Sequence, residues 1–221
     1  MEWASLIDDR VQTTTWDMDQ VVDKSVVEEI MDEVHRRSAS KQNVVRYEIN
    51  IFDWSDTEFR NHFNNFCQRD PRTPNAQYNT QVLAPYLLVF TRRKDAPWNR
   101  EGDPSHTIDL QTQVYNRHMI TAMEIGIAST NIMLSAKTKG LDSGFCNCMD
   151  WEYEHLDKIK EKLNIDDMKD LYVAVGLGVG STSTRKTYNP HTKEMNMSYT
   201  DVGNMWKNEP KPEKQKYIKF A

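Results

Sequence analysis

The stretch from Met119 to about Met149 constrains the fold of this chain more than any other. Read as a helix, it carries Ile120, Met123, Ile127, Leu134 and Ala136, with Met119, Ile125, Ile132 and Met133 on other faces. Glu124 is its only charge before Lys137. A helix apolar nearly all round has to be enclosed by other elements or by a partner chain. The run reads as too short and too interrupted to span a membrane. It ends at Lys139-Gly140-Leu141, a basic last turn followed by a glycine suited to a left-handed cap. The remaining elements are expected to pack around it.

A chain of 221 residues can form one large domain, or one domain with an arm, and can bury a core without disulfide staples. A formal net charge of -5 argues against general affinity for nucleic acid or an anionic membrane. Cys67, Cys146 and Cys148 are too few and too unevenly spaced for a secreted disulfide scaffold. With no signal peptide read at the start, cytoplasmic residence is the expectation.

A short helix ending near Arg10 is expected to lead through a loop to Trp16. Val26, Val27, Ile30, Met31 and Val34 then recur at helical spacing, Ser25 with Glu28 reads as a capping box, and His35-Arg36-Arg37 closes the helix with cations. Ser38 to Asn43 forms a polar connector. Val45, Tyr47, Ile49 and Ile51 alternate with polar residues, as in a half-buried strand. Ser55 with Glu58 reads as a second capping box, opening a helix with Phe59, Phe63 and Phe66. Residues 68–81 read as a loop. The run from Ala84 to Phe90 suits a central strand covered on both faces. Asp95 to His106 is a polar excursion.

After Leu141 an extended piece around Phe145 is expected, then a helix from about Trp151 to Leu163 with Leu156 and Ile159 buried. A second apolar strand follows at Leu171 to Leu177. The tail from Ser181 to Ala221 is polar, holds Pro190, Pro210 and Pro212, and cannot form a core of its own. It reads as an arm wrapping a neighbour.

Candidate chemistry is sparse. Gly176, Gly178 and Gly180 lack the spacing and the following helix of a dinucleotide loop, so they read as a place where the chain leaves a sheet edge close to another backbone. Cys146 and Cys148, with Cys67 and His155, lack the two close pairs of a structural zinc site. They read as ordinary thiols, with a redox pair as an alternative. His118, expected just ahead of the long helix, and His62 read as packing or surface residues. Arg92, Arg93 and Lys94 read as a solvated charge run. With no protein-borne catalytic group in a recognisable motif, a cofactor supplying the chemistry becomes the attractive reading.

Several segments together resemble the FMN-dependent nitroreductase-like family. The run from Arg10 to Trp16 resembles its amino-terminal arginine motif. The segment from Ala39 to Tyr47 is similar to the one before the family's first core strand, with Ser40, Asn43 and Tyr47 in register and Ala39, Val45 and Arg46 departing. Ala84-Pro85 opens a strand as in the family. Glu124 to Leu141 is similar to its central helix, and the stretch from Leu163 to Gly176 to its closing segment.

The resemblance implies an α+β fold, with a mixed or antiparallel sheet among helices and a long buried helix at a homodimer interface. It implies a flavin domain over 1–180 and an arm over 181–221. Bound FMN is implied, with Arg10 and Gln12 near the phosphate, Thr14 supplying a hydroxyl, and Asn43 with Ser40 reaching the ring or ribityl chain from the partner subunit. The segment containing Asn147 would lie beside the ring, and Arg185 and Lys186, with Lys193 in reserve, would close on the phosphate. The implied activity takes hydride from NADH or NADPH through flavin N5 to a nitroaromatic, a quinone or another conjugated acceptor. The alternatives are a binding protein that keeps the scaffold without the chemistry, and a small zinc module built on the cysteines.

Overall fold

The computed structural model describes residues 5–6, 12–68, 79–96, 110–181, 186–189 and 194–198. Four helices surround a four-stranded sheet. They are α1 (Lys24–Arg37), α2 (Thr57–Gln68), α3 (Leu110–Thr138) and α4 (Leu156–Leu163). The strands β1 (Tyr47–Phe52), β2 (Tyr86–Arg92), β3 (Asp142–Cys146) and β4 (Leu171–Gly178) lie in the order β1-β2-β4-β3, each pair antiparallel. The sheet expected as mixed or antiparallel is therefore antiparallel, with one parallel bridge added by Gln12 beside Ser143.

The period of two in β2 divides the core. Tyr86, Leu88 and Phe90 pack with Ile30, Val34, Ile125, Ala128 and Ile132, so α1 and α3 cover one face. Leu87 and Val89 pack with Phe59, Phe63, Phe66, Ile159 and Leu163, so α2 and α4 cover the other. A strand buried on both faces has no room for polar alternation, and this is why Ala84 to Phe90 reads as an unbroken apolar run.

The long helix begins at Leu110, well before Met119, so His118 lies inside it and not ahead of it. Its 29 residues also correct the reading of the run as too short to cross a bilayer. Its packing is nonetheless that of a core helix, through Ile125, Ala128, Ile132 and Ala136. It ends as expected. Gly140 has φ of 74°, the Leu141 N–H donates to Ala136 O at 2.9 Å, and the Gly140 N–H donates to Lys137 O at 3.2 Å, the paired bonds of a Schellman cap.

Both expected capping boxes are corrected. Asp23 Oδ1 accepts from the Ser25 N–H and from its hydroxyl, each at 2.8 Å, so α1 is capped by the aspartate and Ser25 is its donor. Asp53 holds Ser55 in the same way, while Asp56 Oδ1 accepts from the Phe59 N–H at 3.4 Å at the start of α2. The helix expected from Trp151 starts only at Leu156. Asp150 first makes a turn, its side chain accepting from the Glu152 N–H at 3.0 Å and its carbonyl from the Tyr153 N–H at 3.0 Å. Val45 lies outside β1, with φ of 50°.

The helix end near Arg10, most of the 68–81 loop and most of the 95–106 excursion lie outside the described residues, as does most of the tail. Within the tail, β5 (Lys186–Asn189) and β6 (Glu194–Ser198) form an antiparallel pair.

Candidate functional site

The glycines fix the course of the amino-terminal segment. An ideal Cβ at Gly144 would fall 1.8 Å from Thr13 O, and one at Gly176 would fall 2.0 Å from Gln81 O. The two glycines are cross-strand partners in β3 and β4, so together they open a bare strip of sheet on which two other backbones lie. This agrees with the close-approach reading of Gly176, although β4 is an interior strand and not an edge. Thr13 N–H donates to Ser143 O at 3.0 Å, Trp16 Nε1 to Thr80 O at 2.9 Å, and Asp17 N–H to Val179 O at 2.9 Å. Residues 12–17 are thereby fixed along the β3 end of the sheet.

Gln12 is held there by its own amide. Its Nε2 donates to Phe145 O at 2.6 Å and its Oε1 accepts from the Phe145 N–H at 3.1 Å, so the side chain pairs with β3 as another strand would. Thr14 is half-buried, and its carbonyl accepts from the Thr80 hydroxyl. Gln81 approaches the same carbonyl of Phe145, while its Oε1 is buried without a donor among the described residues.

On the opposite face of β3, a cavity of about 610 Å³ lies between this strand and α3. Ala122, Gly126, Ser129 and Thr130 of α3 form one side, Phe145 and Asn147 another, and Tyr172 and Val173 of β4 contribute the floor. A Cβ on Gly126 would meet no atom within 4 Å, so the wall there is open and not a packed groove. Tyr172 OH lies 2.9 Å from His118 Nδ1. Burial, and secondarily the Asp170 charge, push the Tyr172 hydroxyl above its ordinary value, opposed by Thr121 and Arg92.

Ser40 and Asn43 occupy a separate, strained loop. Asn43 and Val45 both have left-handed backbones, with φ of 56° and 50°. For a β-branched residue such as Val45 this costs energy and persists only where the surroundings impose it. Ser40 Oγ accepts from the Val45 N–H at 3.1 Å, and Glu124 accepts from the N–H groups of Lys41 and Arg46 at 2.9 and 3.0 Å. A single buried carboxylate on α3 thus holds both sides of the strained turn. The Asn43 side chain is exposed.

Of the expected site residues, Gln12 bonds the backbone of Phe145, Asn147 lines the cavity on the other face of β3, and Ser40 and Asn43 share the loop held by Glu124. Arg10, Arg185 and Lys193 lie outside the described residues, and only the backbone of Lys186 is described. The charge run at the end of β2 is paired and not merely solvated: Arg92 with Asp170, Arg93 with Asp95 and Lys94 with Asp166, at 2.9, 3.0 and 3.1 Å. Cys67 and Cys146 are buried beneath α2, away from the cavity. A hydrogen bond to Cys146, together with burial, pushes the Cys148 thiol well above its ordinary value, which opposes a ready thiolate. Among the described residues no three His, Cys, Asp or Glu side chains converge as a metal site, so the zinc reading has no ligand set there.

The fit to a flavin differs between its parts. The largely apolar cavity, with small residues on one side and the Asn147 amide in its wall, suits an aromatic ring with polar edges. The buried, donorless Gln81 oxygen marks unfilled hydrogen-bonding capacity on the other side of the same strand. Gln12 spends one amide N–H and its Oε1 on Phe145, which leaves a second N–H for a phosphate oxygen.

The arrangement is a helix-flanked antiparallel sheet with an open, largely apolar cavity against its longest helix. The Nitroreductase family profile matches residues 10–179, and the chain belongs to that family. Among solved structures, it is similar to a nitroreductase family protein from Clostridium novyi NT, at 19% identity and a TM-score of 0.58 over 81% of this chain and 87% of that one. It is also similar to an FMN-dependent nitroreductase from Clostridium difficile R20291, at 20% identity and a TM-score of 0.55 over 90% and 96%. A third is a protein from Desulfovibrio desulfuricans crystallised with FMN, at 13% identity and a TM-score of 0.57 over 95% and 97%. A search of curated protein sequences finds no match.

Proposed function

We propose that this protein is an FMN-dependent oxidoreductase that carries reducing equivalents from NADH or NADPH to a nitroaromatic, a quinone or a related conjugated acceptor, acting in the cytoplasm as a homodimer. The observation that carries the reading is the cavity between α3 and the end of β3 in a chain of this family. When bound, the flavin supplies hydride exchange and electron storage, which explains the lack of a catalytic triad or metal cluster among the described residues.

The chain's own residues then have binding and enclosing roles. Asn147 would hydrogen-bond a polar edge of the ring, and Phe145 would exclude water from one of its faces, leaving the other open toward α3 for the nicotinamide or the acceptor. Ser40 and Asn43, on the loop fixed by Glu124, would reach the cofactor of the partner subunit. Arg10, with Arg185 or Lys186, would neutralise the phosphate, with Thr14 nearby. Gln12 would offer its second amide N–H to the phosphate while fixing the strand end that carries Phe145. Residues 181–221 would act as an arm on the partner.

The dimer follows from one unpartnered stripe. Tyr115, Met119, Met123 and Ile127 recur every fourth residue on α3 and are 66%, 43%, 64% and 43% exposed. An apolar stripe of this kind commonly marks an interface, and twofold pairing is its commonest solution.

The engagement of Gln12 with Phe145 favours a second reading, a binding protein that keeps the scaffold without hydride transfer. The purified protein separates the two. A flavin absorption spectrum, together with NADPH oxidation that depends on menadione or a nitrofuran, supports the oxidoreductase. Protein that takes up no added FMN refutes it.

A further inference from the structure

Where β2 meets β4, Phe90 pairs with Val173 and Thr91 pairs with Leu171, leaving Tyr172 as an extra residue in the ladder. A bulge re-aims the side chain it carries. Here Leu171 and Ala174 pack under α2 and α4, whereas Tyr172 and Val173 both pack on the α3 side. In regular alternation Tyr172 and Val173 would face opposite ways, so the bulge is what brings both into the cavity wall. The Tyr172 hydroxyl lies 2.9 Å from His118 Nδ1. The two rings sit 6.1 Å apart, centre to centre.

Resting on the reading of this cavity as the place where the acceptor is reduced, we propose that Tyr172 is the proton donor to the acceptor and that His118 recharges it. Reduction of a quinone or nitro group by a hydride equivalent delivers two electrons and one hydrogen, leaving negative charge on an acceptor oxygen. That oxygen takes the Tyr172 proton as the phenolic O–H bond breaks. The proton on His118 Nδ1 passes at the same time to the tyrosine oxygen, so the pair ends as neutral phenol and neutral imidazole, and solvent returns a proton to His118. The reductant is the nicotinamide cofactor of the proposed activity.

The state of His118 sets the direction of the tyrosine proton. An imidazole with a bare Nδ1 accepts the Tyr172 O–H and withholds it from the cavity, whereas imidazolium donates to the tyrosine oxygen and frees the O–H. Around the pair, the Thr121 hydroxyl of α3 bonds Tyr172, Asp170 and Arg92 act on it from the sheet side as an ion pair, and Arg117 neighbours His118 on α3.

The test uses FMN-loaded wild type, Tyr172→Phe and His118→Gln, with the two half-reactions followed separately by stopped flow. Both variants should slow reoxidation by menadione about a hundredfold, the usual worth of a general acid, and far more than they slow reduction by NADPH. Wild-type reoxidation should show a solvent deuterium isotope effect from the phenolic proton, and Tyr172→Phe should lose it. As a readout apart from turnover, the oxidised wild-type protein should bind 4-nitrobenzoate about three- to tenfold more tightly than Tyr172→Phe, the worth of one hydrogen bond. Reoxidation at the wild-type rate in either variant, or an equal fall in both half-reactions, overturns the proposal. Wild-type protein that binds no FMN overturns the oxidoreductase reading instead, so the two failures are distinguishable.

Discussion

Arg46 Nη1 lies 2.8 Å from Glu124 Oε1, with the two side chains 5% and 4% exposed. The same carboxylate accepts the N–H groups of Lys41 and Arg46, so one acidic residue in an otherwise apolar helix satisfies three donors from the loop carrying Ser40 and Asn43. Removing one member of a buried pair leaves the other charge uncompensated, at a cost of about 3–5 kcal/mol. Glu124→Ala should therefore lower stability by about that amount in urea unfolding. The double change Arg46→Met with Glu124→Leu should recover only the part due to the uncompensated Arg46 charge, since the Lys41 and Arg46 N–H groups stay unpaired. It should not recover FMN affinity, because Val45 would no longer be held in its left-handed conformation.

Two glycines give opposite expectations. Gly144→Ala drives a methyl group into the Thr13 carbonyl, and since backbone must move, a loss of about 1–3 kcal/mol is expected, with FMN affinity falling as residues 12–16 lift from the sheet. Gly126→Ala meets no atom and replaces a helix-interior glycine, so stability should rise by up to about 1 kcal/mol. Its methyl enters the cavity, so the Km for bulky acceptors should rise. Thermal unfolding and steady-state kinetics on the two variants measure both effects.

Acid stability follows from Glu33. The Ser135 hydroxyl donates to Glu33 Oε2 at 2.6 Å. This bond, helped by Lys139 and Arg37 against some burial, holds the carboxyl below its ordinary value. A carboxyl depressed in the folded state contributes stability above its unfolded pKa and loses it as pH falls through the folded one. Ser135→Ala should thus unfold at a lower temperature than wild type at pH 7, and the gap should narrow by about pH 3.

What could be read from the sequence and what could not divide along the range of the interactions. The β2 run, the Phe59-Phe63-Phe66 face of α2 and the Gly140 cap are set by neighbours within a few residues, and spacing alone reveals them. The start of α3 was hidden because Gln111, Thr112, Gln113, Asn116 and Arg117 dilute the apolar pattern there. The caps of α1 and α2 differ from the serine pattern because Asp23 accepts the Ser25 N–H itself and Asp56 accepts the Phe59 N–H. In the candidate site, the resemblance points to Asn147, which lines the cavity, and to the Ser40–Asn43 loop, which forms a separate turn held by Glu124. Glu124, Tyr172 and Gln81 were missed, since each acts across more than fifty residues of chain or through a bulge. For Glu124 a signal existed, as a lone acid in an apolar helix is expected to have a buried partner.

The apolar stripe on α3 supplies the last prediction. Tyr115, Met119, Met123 and Ile127 share one face through their four-residue spacing, while Ile125, Ala128 and Ile132 on another face already fill the core. The stripe contributes nothing to the fold of one chain, so a charge placed within it should act on assembly and not on folding. Met123→Asp should leave the far-ultraviolet spectrum and unfolding cooperativity intact, yet shift the protein from dimer to monomer in sedimentation. Since Ser40 and Asn43 would then have no partner cofactor to reach, the monomer should also lose FMN. A wild-type protein that sediments as a monomer, or a Met123→Asp protein that remains a dimer, contradicts the assignment of this face.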